Sequence, residues 1–142
     1  MIVERATDAS GELVAAFARL VPQLTTRTSP RGGAVIERVL ADPRAVQLVA
    51  RDGGAIVGVL TLLVFELPTG LKARIEDVIV DERARGQGVG EALVAEAQRL
   101  AEEAGVIAIE LTTARQREAA NRLYARLGFE RRETNVYVWR PH

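Results

Sequence analysis

The segment from Ile75 to Ala104 constrains the fold more than any other part of the chain. A run rich in β-branched residues, Ile75-Glu76-Asp77-Val78-Ile79-Val80, enters a charged turn, Asp81-Glu82-Arg83-Ala84-Arg85. Three alternating glycines follow, Gly86, Gly88 and Gly90. A stretch from Gly88 to Ala104 then carries Val89, Leu93, Ala97 and Leu100 at helical spacing and stops at Gly105. The pattern is strand, glycine turn, helix. Glycines in such a turn let the backbone approach a ligand closely. The first turn of the helix presents N–H groups without intrahelical acceptors at the positive end of its dipole. Together these suit an anion such as a pyrophosphate, and Arg83 and Arg85 add fixed charge beside it. The plain alternative is a turn whose glycines serve only to pack the helix tightly on the strand.

Two familiar phosphate loops do not fit. A Walker loop needs Gly-Lys-Ser/Thr, and this turn has neither the lysine nor the hydroxyl. The dinucleotide fingerprint needs glycine where Glu91 stands. The chain has no Cys, and its one His is the last residue, His142. That excludes a disulfide framework, a thiolate metal site and a Cys nucleophile, along with His-based triads and HExxH zinc sites. No metal is expected. Chemistry falls to carboxylates, hydroxyls, arginines, backbone amides or a cofactor. Nineteen basic residues balance nineteen acidic ones, which argues against a general nucleic-acid binder. Glu4, Arg5 and Asp8 interrupt any N-terminal signal, and the most apolar run, Leu60 to Leu67, falls well short of the roughly 20 residues that span a bilayer. A cytoplasmic protein without membrane partners is expected. At 142 residues the chain is one domain's worth.

Along the chain, strands and helices alternate. Ile2 to Arg5 reads as a strand, and Asp8 or Ser10 caps a helix reaching about Val21. Thr25 to Gly33 is loop-like and fits a mobile substrate loop. A short helix from Ala34 to Leu40 is stopped by Asp42-Pro43. Val46 to Arg51 and Ile56 to Phe65 read as strands joined by the hairpin turn Asp52-Gly53-Gly54, with Gly58 at a bulge. Ala73 to Val80 is the strand that feeds the glycine turn. After the long helix come a strand from Val106 to Thr112, a helix from Arg117 to Leu127 with Gly128 as its cap, and two strands, Phe129 to Arg132 and Val136 to Trp139. This order, β-α-α-β-β-β-α-β-α-β-β, indicates an α/β domain with helices over a sheet.

Arg85-Gly86-Gln87-Gly88-Val89-Gly90 matches Arg/Gln-x-x-Gly-x-Gly/Ala, and Ala120-Asn121-Arg122-Leu123-Tyr124-Ala125-Arg126-Leu127-Gly128-Phe129 follows at the right distance. With these two motifs the chain resembles the GCN5-related N-acetyltransferase (GNAT) superfamily over residues 46 to 139. The resemblance implies a single N-acetyltransferase domain over residues 1–142, with a mixed, mostly antiparallel sheet flanked by helices. It implies transfer of an acetyl group from acetyl-CoA to a primary amine by direct attack in a ternary complex. A small-molecule amine is favoured, with a peptide amine or a non-catalytic acyl-CoA-binding module as rivals. It also implies that Gln87, Gly88, Val89 and Gly90, with Arg85 and Gly86, hold the CoA pyrophosphate. Main-chain groups of Val78, Ile79 and Val80 would hold the pantetheine arm, and an N–H near Val78 would face the thioester oxygen. Tyr124 would protonate the departing thiolate and Asn121 would touch the pantetheine. Relatives often pair through their C-terminal strands, which leaves a homodimer open. For the base, Glu76 and Asp77 are the candidates. Regular strand alternation puts Ile75, Asp77 and Ile79 on one face and Glu76, Val78 and Val80 on the other. On that reading Glu76 faces the amine and Asp77 sits near the glycine turn, the alternative being that either carboxylate simply anchors Arg74 or Arg83.

Overall fold

The computed structural model describes residues 1–142. They fall into two compact units, Met1–Thr112 and Thr113–His142. The first unit holds a five-stranded sheet in the order β1-β2-β3-β4-β5, with β1 Ile2–Arg5, β2 Ala45–Asp52, β3 Ala55–Leu67, β4 Gly70–Val80 and β5 Ile109–Glu110. The first three pairings are antiparallel and the last is parallel. Sequence alternation located these strands to within a few residues, except β5. There only Ile109–Glu110 counts as strand, because β5 pairs with β4 at Ala73 and Arg74 alone.

Helix α1, Gly11–Leu24, starts at Ser10 rather than Asp8: the Ser10 hydroxyl accepts from the Leu13 amide. It runs past Val21 although Pro22, in its last turn, has no N–H to donate to the carbonyl four residues back, and the Thr25 amide closes the helix on the Val21 carbonyl. Helix α2, Gly33–Ala41, ends against Asp42-Pro43 as expected. Both cover one face of the sheet, where Leu13, Ala16, Leu20 and Ile36 bury against Val49, Val59 and Ile79. Helix α3, Val89–Ala104, lies on the other face and ends at Gly105, which is left-handed at φ 83°. Gly58 sets how closely α3 can approach. A Cβ on it would lie 2.8 Å from Val89 Cγ1 and 3.0 Å from Leu93 Cδ1. The bulge expected there is present one residue earlier: Ala50 pairs with Gly58 and Arg51 with Ile56, leaving Val57 as the extra residue.

The second unit contains α4, Glu118–Arg126. Its end is a Schellman motif, in which the Gly128 amide donates to the Ala125 carbonyl, the Phe129 amide donates to the Tyr124 carbonyl, and Gly128 takes φ 90°. The two strands expected over Phe129 to Arg132 and Val136 to Trp139 do not form, and residues 127–142 carry neither helix nor strand. Alternating apolar residues permit a strand, but only hydrogen bonding to a neighbour makes one, and a lone hairpin is marginal in water. No helix is long and apolar enough to cross a membrane.

Candidate active site

The strand β4 departs from regularity where the carboxylates stand. Val59 pairs with Ile79, but Thr61 pairs with Glu76, so Leu60 faces two residues, Asp77 and Val78. This is a bulge, and Asp77 takes the left-handed conformation within it at φ 51°. The extra residue reverses the parity of everything before it. Glu76 therefore shares a face with Ile79, and Ile75 shares one with Val80, contrary to the regular alternation read from the sequence. Asp77 does not turn toward the glycine turn. Glu76, Asp77 and Ile79 all line one cleft of about 440 Å³, closed on its other sides by α1, α2 and the 25–31 loop. The loop flagged as a substrate loop thus borders the carboxylates.

The two carboxylates differ in what holds them. Glu76 accepts from Arg74 Nε at 2.9 Å, as the anchoring alternative supposed. Asp77 makes no such pair, and partial burial together with the adjacent Glu76 charge pushes its carboxyl above the ordinary range.

Beyond the bulge, β4 runs to Val80 with no strand on its β5 side, since that pairing ends at Arg74. The main-chain edge from Ile75 to Val80 is thereby left unoccupied by β5. The side chain of Ile79 is buried with α1 and α2, so only its backbone is available to a ligand along this edge. The glycine turn follows. Gly86 and Gly88 take φ 78° and 80°, and a Cβ on either would meet nothing within 4 Å. Tight packing is therefore not why they are glycines. They supply a left-handed backbone on an exposed turn, and no side chain caps the start of α3. Val89 is buried beneath the turn and opens the helix, Gly90 lies in its first turn, Gln87 is exposed, and Arg85 folds back so that its Nε donates to the Val80 carbonyl at 3.4 Å. An unpaired strand edge leading to an anion-ready turn fits an extended molecule with a pyrophosphate at one end.

Sequence reasoning missed what fixes this turn in place. Asp81 is buried and accepts from Arg19 Nε at 3.3 Å and from the Arg83 amide at 3.2 Å. The same arginine donates to the Ile56 carbonyl at 2.7 Å, and Gln23 Oε1 accepts from the Glu82 amide at 2.9 Å. Burial works against the Asp81 charge, but the Arg83 amide, Arg19 and Gln23 outweigh it and hold the carboxyl below the usual range. One side of α1 thus grips the entry to the glycine turn while Phe17, Val21 and Leu24 of the same helix line the cleft. The only sequence signal is Arg19 and Gln23 one helical turn apart, which does not name a partner 62 residues away.

In the second unit, Tyr124 and Asn121 lie on one face of α4. The Tyr124 ring packs edge-on against Phe129 with centroids 5.7 Å apart. Burial raises its hydroxyl pKa, with Arg117 pulling the other way. The Asn121 amide nitrogen donates to the carbonyls of Ala114 and Arg117, holding the turn into α4. No cluster of three or more His, Cys, Asp or Glu is arranged to hold a metal.

The acetyltransferase (GNAT) family profile matches residues 11–129, across both units. The chain belongs to the GNAT acetyltransferase family. It is accordingly an acetyl-CoA-dependent N-acetyltransferase. Among GNAT proteins it is similar to the N-alpha-acetyltransferase RimI of Mycobacterium tuberculosis, at 31% identity over 114 residues covering 80% of this chain and 70% of that protein. A structure from Agrobacterium tumefaciens str. C58, assigned as an acetyltransferase, superposes with a TM-score of 0.86 at 26% identity over 99% of this chain and all (100%) of that one. An aminoglycoside acetyltransferase from an uncultured soil metagenomic sample, in complex with sisomicin, gives a TM-score of 0.84 over 99% and 95% of the two chains. At 20% identity that likeness is one of fold. The mixed, mostly antiparallel α/β sheet with helices on its faces is the fold the motifs implied.

Proposed function

We propose that this GNAT chain acetylates the primary amine of a small molecule by direct attack, with both substrates bound at once. On this reading residues 1–142 act as one domain in the cytoplasm, where acetyl-CoA is supplied. The observation that carries it is the bulge at Asp77, which sets a carboxylate with a raised pKa in a cleft of small-molecule size.

Acetyl-CoA supplies an activated thioester and a thiolate leaving group. The chain's residues supply the rest. Main-chain groups of Val78, Ile79 and Val80 hold the pantetheine arm, and amides from Gln87 to Gly90, with Arg85, hold the pyrophosphate. The Val78 N–H faces the oxygen that gains charge, a contribution on the order of 3 kcal/mol for one well-aimed donor. The N–C bond forms as the C–S bond breaks. The amine's proton passes to Asp77, and the thiolate takes a proton from Tyr124. Asp77 is preferred to Glu76 because it faces the cleft without an ion partner, whereas Arg74 engages Glu76. The Tyr124 hydroxyl, already protonated at neutral pH as an acid must be, is shifted further up by burial. Asn121 contacts the pantetheine through what its backbone-bound amide leaves available. The likeness to RimI supports a peptide amine as the second reading.

Steady thiol release from acetyl-CoA in the presence of primary amines tests the activity. Tyr124→Phe is expected to slow it by about 10-fold to 100-fold with CoA affinity retained. Binding of CoA without turnover of any amine would make the chain an acyl-CoA-binding module instead.

A further inference from the structure

Four charged side chains line the cleft that holds Asp77: Arg31, Asp42, Glu76 and Asp77 itself. Two of them are neutralised by arginines that do not line it. Arg44 donates through Nε and Nη2 to Asp42 at 3.1 and 3.0 Å, and Arg74 engages Glu76. The other two have no ion partner and are of opposite sign. Asp77 stands on β4, and Arg31 stands on the loop that joins α1 to α2. The Arg31 guanidinium makes no hydrogen bond within the chain, and neither do the hydroxyls of Thr28 and Ser29, which line the cleft from the same loop. Pro30 fixes the backbone angle just before Arg31, and Gly32 just after it is the cap residue of α2. The base of the Arg31 side chain is thus held in place while its head is exposed.

We infer that the acceptor is a zwitterion of the amino-acid kind, whose carboxylate is held by Arg31 while its amine meets Asp77. This rests on the acetyl-transfer reading above. The amine arrives as a cation, is drawn to the carboxylates of β4, and gives up its proton there. A guanidinium presents paired N–H donors in a planar fork that matches a carboxylate. The Thr28 and Ser29 hydroxyls can donate to the carboxylate's remaining lone pairs. One guanidinium balances one carboxylate, and one aspartate balances one ammonium. A zwitterion therefore pairs both free charges of the cleft at once, whereas a plain monoamine leaves Arg31 unmatched. In open water each such pair is weak. Between α1, α2 and the loop the bound acceptor displaces water, and both attractions strengthen. The carbon skeleton between the two charges lies against Phe17, Val21 and Leu63. A cleft of about 440 Å³ lies within the range that holds a small organic ligand.

The test compares kcat/KM, with saturating acetyl-CoA, for two matched pairs of amines. Leucine differs from isopentylamine only by the carboxylate beside its amine. The compound δ-aminovalerate carries its carboxylate at the far end of the chain, where pentylamine has a methyl group. In at least one pair the acid is expected to exceed its uncharged partner by on the order of tenfold or more. Arg31→Gln is expected to cut that ratio about tenfold through a raised KM for the acid. Arg31→Lys, which keeps the charge but not the fork, is expected to restore part of it. Equal or faster turnover of the uncharged amine in both pairs overturns this inference while leaving the acetyltransferase reading standing. A preference for the acid that Arg31→Gln does not change does the same. Turnover of none of the four also overturns the inference, and the acetyl-transfer reading falls with it only where no other primary amine releases thiol.

Discussion

Asp77 and Asp81 leave the same strand four residues apart and meet opposite fates. Asp81 is buried, yet the Arg83 amide, Arg19 and Gln23 stabilise its charge. Asp77 has no cation, stands beside another carboxylate, and takes a left-handed backbone that a residue with a side chain adopts at a cost of about 1–2 kcal/mol. At Gly86 and Gly88 the same kind of backbone is supplied by glycine, without that cost. One aspartate therefore holds the molecule together, and the other is held by the molecule against its own preference. A strained, charge-disfavouring position that keeps a carboxylate is a mark of function rather than stability. Asp81 bears on function only by fixing the turn, through the helix that also lines the cleft.

Stability measurements can break this contrast. The larger effect is expected at Asp81. Its folded pKa is depressed, so its charge contributes stability above the unfolded value of about 3.9, and the contribution is lost as pH falls through the folded value. Asp81→Asn should cost about 1–2 kcal/mol at neutral pH, short of a fully buried pair because the Arg19 side chain is 43% exposed. The gap to wild type should close as the solution is acidified, as followed by urea melts. A variant as stable as wild type at neutral pH would mean that Arg19 and Gln23 do not hold the turn.

The smaller effect is expected at Asp77, with the opposite sign. Its folded pKa is raised, so its favourable contribution is present below the unfolded value of about 3.9 and is lost as pH rises through the folded one. Above that range the ionised group destabilises the fold. Asp77→Asn should therefore raise the melting temperature modestly at neutral pH and lose its advantage in acid. A fall in melting temperature at neutral pH would show Asp77 to be a structural anchor.

Much of this architecture is legible in the residues themselves. Ile2–Arg5, the Asp52-Gly53-Gly54 hairpin, and α3 with its Gly105 stop are local patterns, and the structure follows them closely. The site is harder to read where it depends on pairing. Residues 75–80 look like a regular strand, and only the register against β3 reveals the extra residue that turns Glu76 and Asp77 into one cleft. A bulge belongs to two strands at once, so one strand's alternation cannot announce it. The same limit explains Val136 to Trp139, where alternation is present but no strand forms and Tyr137 and Trp139 stand exposed. The Arg19–Asp81 pair joins segments with no sequence relation at all.

The account turns on which carboxylate takes the amine's proton. Steady-state kcat/KM for one accepted amine, measured side by side for wild type, Asp77→Asn and Glu76→Gln, tests it most directly. Asp77→Asn should lose on the order of 100-fold with CoA affinity unchanged, while Glu76→Gln, whose partner is Arg74, should stay within a few-fold of wild type. The reverse ranking, with Glu76→Gln inactive and Asp77→Asn near wild type, would contradict the role assigned to the bulge.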